Sequence, residues 1–113
     1  PGDYERAWCT VRGTEACVHW MEHLRDTPTR IRLRRRLGKA VRGQLGDVKP
    51  VGQGVWEMRE FFGPGWRMYY MRQGSTLIVM LGGGDKSTQD SDIARAQSIA
   101  QELRHEQDQD PAI

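Results

Sequence analysis

The chain has 113 residues, a formal net charge of +2 and a modest apolar share that includes five Met and four Trp. That length buries roughly two thirds of the unfolded surface, so one domain is expected, with no need of disulfides or a structural metal. No run of eighteen apolar residues and no charged-then-apolar leader occurs, which predicts neither a membrane span nor a secretory signal and hence a cytoplasmic protein.

In chain order, "AWCTVR" reads as a first strand. Thr14 then caps a helix on which Cys17, Trp20, Met21 and Leu24 recur at helical spacing, with Glu22 and His23 on its polar face. Cys9 and Cys17 lack the C-x-x-C spacing of redox or zinc sites and read as reduced structural thiols. His19 and His23 have metal-ligand spacing, but Trp20 replaces the Glu of H-E-x-x-H and no third ligand is evident, so no metal is expected. Pro28 falls in the first turn of a second helix whose apolar stripe is Leu33, Leu37, Ala40 and Val41, completing a helical hairpin. Gly38 weakens that helix by about 1 kcal/mol relative to Ala.

From Val48 the period changes to two: "VKPV", "GVWEMREFF", "WRMYYMR" and "TLIVML" predict an antiparallel meander. If Gly63, Pro64 and Gly65 form a three-residue loop, Arg59 lies opposite Tyr69 and Phe61 opposite Arg67. Trp56, Met58, Trp66, Met68 and Tyr70 then make the core face. The other face carries Glu57, Arg59, Arg67 and Tyr69, with Lys49 on the preceding strand. Finally, Ser87 caps a last helix whose stripe is Ile93, Ala96, Ile99, Ala100 and Leu103, able to close over part of the sheet.

The near-neutral total conceals a basic middle: residues 27–86 carry twelve Lys or Arg against four Asp or Glu, while both flanks are acidic on balance. Such a distribution points to a polyanionic partner, nucleic acid or an acidic protein. The helix cations Arg32, Arg35, Arg36, Lys39 and Arg42 are the expected RNA-binding set, against the alternative of a solvated helix face. On the sheet, like charges placed opposite one another destabilise unless an anion is near. Lys49, Arg59, Arg67 and Lys86 suit a phosphate, and Tyr69 offers a stacking face and a phenol. The alternative is that Glu57 and Asp85 pair with two of these cations on an exposed sheet.

"LIVMLGGGDKSTQD" invites a phosphate-loop reading, but Asp85 rather than Gly precedes Lys86, and Val79 and Met80 stand near where the first Gly of that motif belongs. The glycines are expected to mark a strand exit, with backbone angles that other residues resist.

"GDVKPVGQGVWEMREFFGPGWRMYYMRQG" followed by "LGGGDKSTQDSDIARA" resembles the RelE/ParE toxin superfamily, in particular the small addiction-module killer proteins of the HigB-like group, over about residues 8–103. The resemblance implies an α+β, RelE-like fold: an N-terminal strand and helical hairpin packed on a curved antiparallel sheet, with a C-terminal helix. One domain spans 1–113, its core about 8–105 and its ends flexible. It also implies the toxin of a type II toxin–antitoxin pair. For the RelE branch, it implies ribosome-dependent, metal-independent cleavage of mRNA without a cofactor, the 2′-hydroxyl attacking the adjacent phosphate. By position, Lys49, Arg59, Arg67 and Lys86 match the family's basic residues, with Tyr69 beside them; independently of the resemblance, Arg67, mid-strand and flanked by Arg59 and Tyr69, is the expected fork on the developing charge. The implied partners are a small helix-turn-helix antitoxin, the ribosome and mRNA, with no membrane. A ParE-like inhibitor of DNA gyrase and a non-catalytic RNA-binding module are the alternatives. Cys17 stands where relatives carry an aromatic residue, and the histidines used by some HigB proteins are missing.

Overall fold

The computed structural model describes residues 10–108. Strand β1 (Thr10–Gly13) leads into helix α1 (Glu15–Glu22) and helix α2 (Thr27–Val41). Strands β2 (Val48–Pro50), β3 (Trp56–Arg59), β4 (Arg67–Gln73) and β5 (Leu77–Gly84) follow, then a 3₁₀ turn (Lys86–Thr88) and helix α3 (Gln89–Asp108). Residues 7–9 of the expected first strand, Cys9, the N-terminal end and residues 109–113 lie outside the described residues, whereas residues 106–108, expected to be part of a flexible end, continue α3. No described helix is long and apolar enough to cross a membrane.

Local chemistry sets the helix starts. Thr14 Oγ1 accepts from the Cys17 N–H, Asp26 Oδ2 accepts from the Thr29 N–H, and Pro28 occupies the first turn of α2, each satisfying or removing an orphan donor. The last helix differs from expectation. It is entered through the 3₁₀ turn, which Asp85 and not Ser87 caps: its carboxylate accepts from both the Ser87 N–H and the Ser87 hydroxyl. Those bonds hold its carboxyl below the usual carboxylate range.

The sheet order is β1-β5-β4-β3-β2, with β1 parallel to β5 and every other pairing antiparallel. It is therefore mixed, not purely antiparallel. The β3–β4 register also departs from the three-residue-loop expectation: Arg59 faces Arg67 and Glu57 faces Tyr69. The connection runs over residues 60–66, closed by the Glu60 N–H to the Trp66 carbonyl at 2.9 Å, and the longer loop slides the pairing by two residues.

Both faces of the sheet are covered. On one side Cys17, Met21, Leu24, Leu33 and Ala40 of the hairpin pack on Met58, Met68, Tyr70, Ile78 and Met80. On the other, Ala96 and Ala100 of α3, backed by Ile93, Ile99 and Leu103, cover Val55, Tyr69, Met71, Val79 and Leu81. The face expected to be open is thus largely closed. Burial pushes the Cys17 thiol up to about 11, as expected for an inert structural thiol.

Gly82, Gly83 and Gly84 are not a strand exit. They continue β5 opposite Tyr69, Met68 and Arg67, without positive φ. Their role is steric. A Cβ on Gly83 would enter the Trp20 ring, and one on Gly84 would strike the Asp92 carboxylate, whereas Gly82 has nothing within 4 Å.

Gly83→Ala is therefore expected to lower stability by roughly 1–3 kcal/mol through overpacking, and Gly82→Ala to be neutral or to stabilise by up to about 1 kcal/mol. Urea unfolding of the two variants checks this. The raised Cys17 thiol gives an alkaline signature: its contribution is fully present below its ordinary value of 9.0 and is lost as pH rises toward about 11, because the unfolded chain ionises first. The buried hydroxyls of Tyr69 and Tyr70 act in the same sense. Replacing Cys17 with Val should accordingly flatten, not abolish, the fall in melting temperature above pH 9.

Candidate nucleic-acid interface

Strand register assembles the sheet cluster. Lys49 pairs with Glu57 and Glu57 with Tyr69 across β2, β3 and β4, and Arg59 pairs with Arg67 two residues along on the same face. Lys86 arrives from the 3₁₀ turn beyond β5. Gly65 lies between it and Arg67, a Cβ there being 3.5 Å from both Arg67 Nη1 and Lys86 Cβ. Five of the expected site residues therefore belong to one region, but in very different environments.

Glu57 and Tyr69 have no exposed surface and Arg67 is 7% exposed. Glu57 Oε2 accepts from Gln89 Nε2 at 2.9 Å, and its Oε1 faces Arg67 Nε at 3.7 Å. Arg67 Nη1 donates to the Glu60 and Trp66 carbonyls at 3.3 and 3.2 Å. Among the described residues, Glu57 Oε1, Arg67 Nε and the Tyr69 hydroxyl have no hydrogen-bond partner of good geometry. Burial first, and the adjacent Glu57 carboxylate second, drive the Tyr69 hydroxyl well above its ordinary value. Two expectations change. Tyr69 lies beneath α3 and presents no stacking face, and Arg67 is a buried counter-ion on a core-side face instead of an open phosphate fork.

Arg59 differs. Its Nε and Nη2 each reach an Asp47 carboxylate oxygen at 3.2 Å, with side chains 32% and 38% exposed. Exposed pairs of this kind contribute about 0–1 kcal/mol, so a phosphate can replace Asp47 at little cost. Lys49 and Lys86 are exposed and form no ion pair among the described residues. Of the pairing alternative, the Glu57 half holds, since Glu57 pairs with Arg67, but in an enclosed site and not on an exposed sheet; Asp85 bonds Ser87 and forms no ion pair among the described residues.

The cations of α2 separate as well. Arg36 is spent on structure: it donates to the carbonyls of Leu45, Asp47 and Arg59 and to the Glu60 carboxylate at 2.8 Å. It ties α2 to the end of β3 and is withdrawn from the RNA-binding set. Arg32 lies over the Phe62 ring at 3.8 Å, and Arg35, Lys39 and Arg42 are exposed. Because α2 covers the opposite face of the sheet from α3, these cations form a second basic surface. A groove of about 340 Å³ between β1, α1 and α2 is lined chiefly by Val11, Cys17, Val18, Met21, Leu37 and Val41. Arg12, Glu22 and Arg34 also line it, on the hairpin side of the sheet. His19 and His23 stack at 3.9 Å on the exposed side of α1, and among the described residues no three His, Cys, Asp or Glu are placed to hold a metal.

Gln89, Asp47 and Glu60 were not singled out from sequence. Their partners are 12 to 32 residues away, beyond any local pattern. The buried pair has a mutational signature: Arg67→Ala leaves an uncompensated carboxylate and should cost about 3–5 kcal/mol, whereas the double replacement Glu57→Leu with Arg67→Met should recover most of it. Denaturant midpoints of the single and double variants check both halves.

No family model matches the chain. An uncharacterized protein of Haemophilus influenzae is 39% identical over 93 residues, spanning 82% of this chain and 94% of that protein. A chain in the crystal structure of the RelBE2 toxin–antitoxin complex of Mycobacterium tuberculosis superposes with a TM-score of 0.58 at 21% identity, covering 70% of this chain and 99% of that one. At 39% identity over most of both chains, the chain belongs to the family of the Haemophilus influenzae protein, and the superposition gives it the RelE-like fold.

Proposed function

We propose that the chain is the toxin of a type II toxin–antitoxin pair and cleaves mRNA in translating ribosomes in the cytoplasm. The observation that carries this reading is the likeness of its fold to a chain of the RelBE2 toxin–antitoxin complex. The cation cluster supplies the chemistry. Cleavage by 2′-hydroxyl attack needs charge stabilisation as the phosphorane forms and a proton path at each end. Exposed Lys49 and Lys86 serve the attacking and leaving oxygens, and Arg59 exchanges Asp47 for a phosphate oxygen. Arg67, neutralised by Glu57, supports the loop behind them through the Glu60 and Trp66 carbonyls. Arg32, Arg35, Lys39 and Arg42 hold RNA on the second surface. The partner is an antitoxin that covers basic surface when RNA is absent.

The reading is tested by primer extension on message from cells expressing the chain. Cuts within codons are expected, and Lys49→Ala and Lys86→Ala should each reduce cutting about a hundred- to a thousandfold. Because both side chains are exposed, melting temperatures should stay within about a degree or two of the parent. Intact message together with trapped, cleaved DNA would instead identify a gyrase inhibitor.

A further inference from the structure

Resting on the RNA reading above, we infer that Phe61 is a stacking platform for an unpaired nucleobase. The ring is 79% exposed, the most exposed large apolar side chain among the described residues. A Phe in a loop is usually turned inward or carried on a poorly anchored segment. Neither holds here. The loop is closed by the Glu60 N–H to the Trp66 carbonyl at 2.9 Å and the Gly65 N–H to the Phe62 carbonyl at 3.2 Å. Its other aromatic side chains point into the protein: Phe62 packs on the hairpin core under Arg32, and Trp66 meets Trp20 edge to face. Arg36 holds Glu60 from below. The backbone on both sides of Phe61 is thus fixed while its ring projects outward.

The surroundings select the ligand. The Arg59 guanidinium carbon lies 5.9 Å from the Phe61 centroid, within cation–π range. Gly65 of the same loop separates Arg67 from Lys86. A nucleotide brings a π face and an anion a few ångströms apart, matching a ring set among cations. Stacking of this kind tolerates any base and contributes substantially to single-strand binding. An apolar protein surface would use the ring and leave the cations unanswered.

The test uses the full chain and ribosomes programmed with a message carrying 2-aminopurine at the cut site. Phe61→Leu keeps an apolar side chain and removes the aromatic face. It should raise the concentration for half-maximal cutting roughly tenfold or more and abolish quenching of the 2-aminopurine. Phe61→Trp should restore both, and the melting temperatures of both variants should match the parent. If the parent cuts and Phe61→Leu binds and cuts equally well, the stacking assignment alone is overturned. If Phe61→Leu instead loses affinity only for the antitoxin, the ring belongs to a protein interface and the assignment is likewise overturned. If the parent neither cuts nor quenches, the RNA reading fails and the inference with it.

Discussion

A carboxylate with no exposed surface, that of Glu57, constrains the whole α3 side of the molecule. An ionised group removed from water is tolerated only with charge and hydrogen bonds supplied around it. Here the charge comes from Arg67 on the neighbouring strand and the hydrogen bond from Gln89 at the start of α3. That couples three elements. Strand register must bring β3 and β4 together so that the two side chains are diagonal neighbours on one face. The turn after β5 must deliver Gln89 above them, and Gly84 must be bare so that Asp92 can lie against the strand. The Asp85 cap, which closes the 3₁₀ turn through Ser87, sets the angle at which α3 begins.

The same arrangement explains how much of the fold was legible in the sequence. Helix starts and stripes were readable because caps and apolar periodicity are local: Thr14, Pro28 and the Leu33 to Ala40 stripe act within a turn or two of themselves. The second covered face was also present as a signal. "MYYM" and "LIVML" are continuous apolar runs, the mark of strands buried on both sides. The charges at Glu57, Arg59 and Arg67 suggested an open face, yet of the three only Arg59 is even partly exposed. The period-two pattern establishes which residues share a face, and says nothing of whether a distant helix covers that face.

Register and site composition failed for a related reason. A loop of three residues and one of seven are both compatible with "REFFGPGWR", and the choice depends on the inward packing of Phe62 and Trp66 against the hairpin. Two adjacent aromatics at a strand end cannot both point inward at period two, so one of Phe61 and Phe62 had to be exposed. The outward one is Phe61, while Phe62 lies under Arg32 of α2. The parallel pairing of β1 is equally non-local, since its partner begins 67 residues later in the register Thr10 to Leu77.

The charge distribution gains meaning once its partners are assigned. The basic middle of the chain holds four acids, and the fold commits all four. Asp47 binds Arg59, Glu57 binds Arg67, Glu60 binds Arg36, and Asp85 binds Ser87. Among the described residues none forms an ion pair with Lys49 and Lys86 on one side of the sheet, or with Arg35, Lys39 and Arg42 on the other. The acidic residues of α3 do not compensate: among the described residues, no ion pair joins that helix to these cations. The chain therefore carries two groups of exposed cations, each able to attract a polyanion through the solvent. The two groups differ in kind. Those on α2 stand on a solvated helix face and act as a diffuse attraction, strongly reduced by salt. Lys49 and Lys86 are held by the sheet instead: Lys49 stands across from Glu57 and Lys86 beside Gly65 and Arg67, so both lie at the margin of a buried ion pair that fixes the strands beneath them while its own charges cancel.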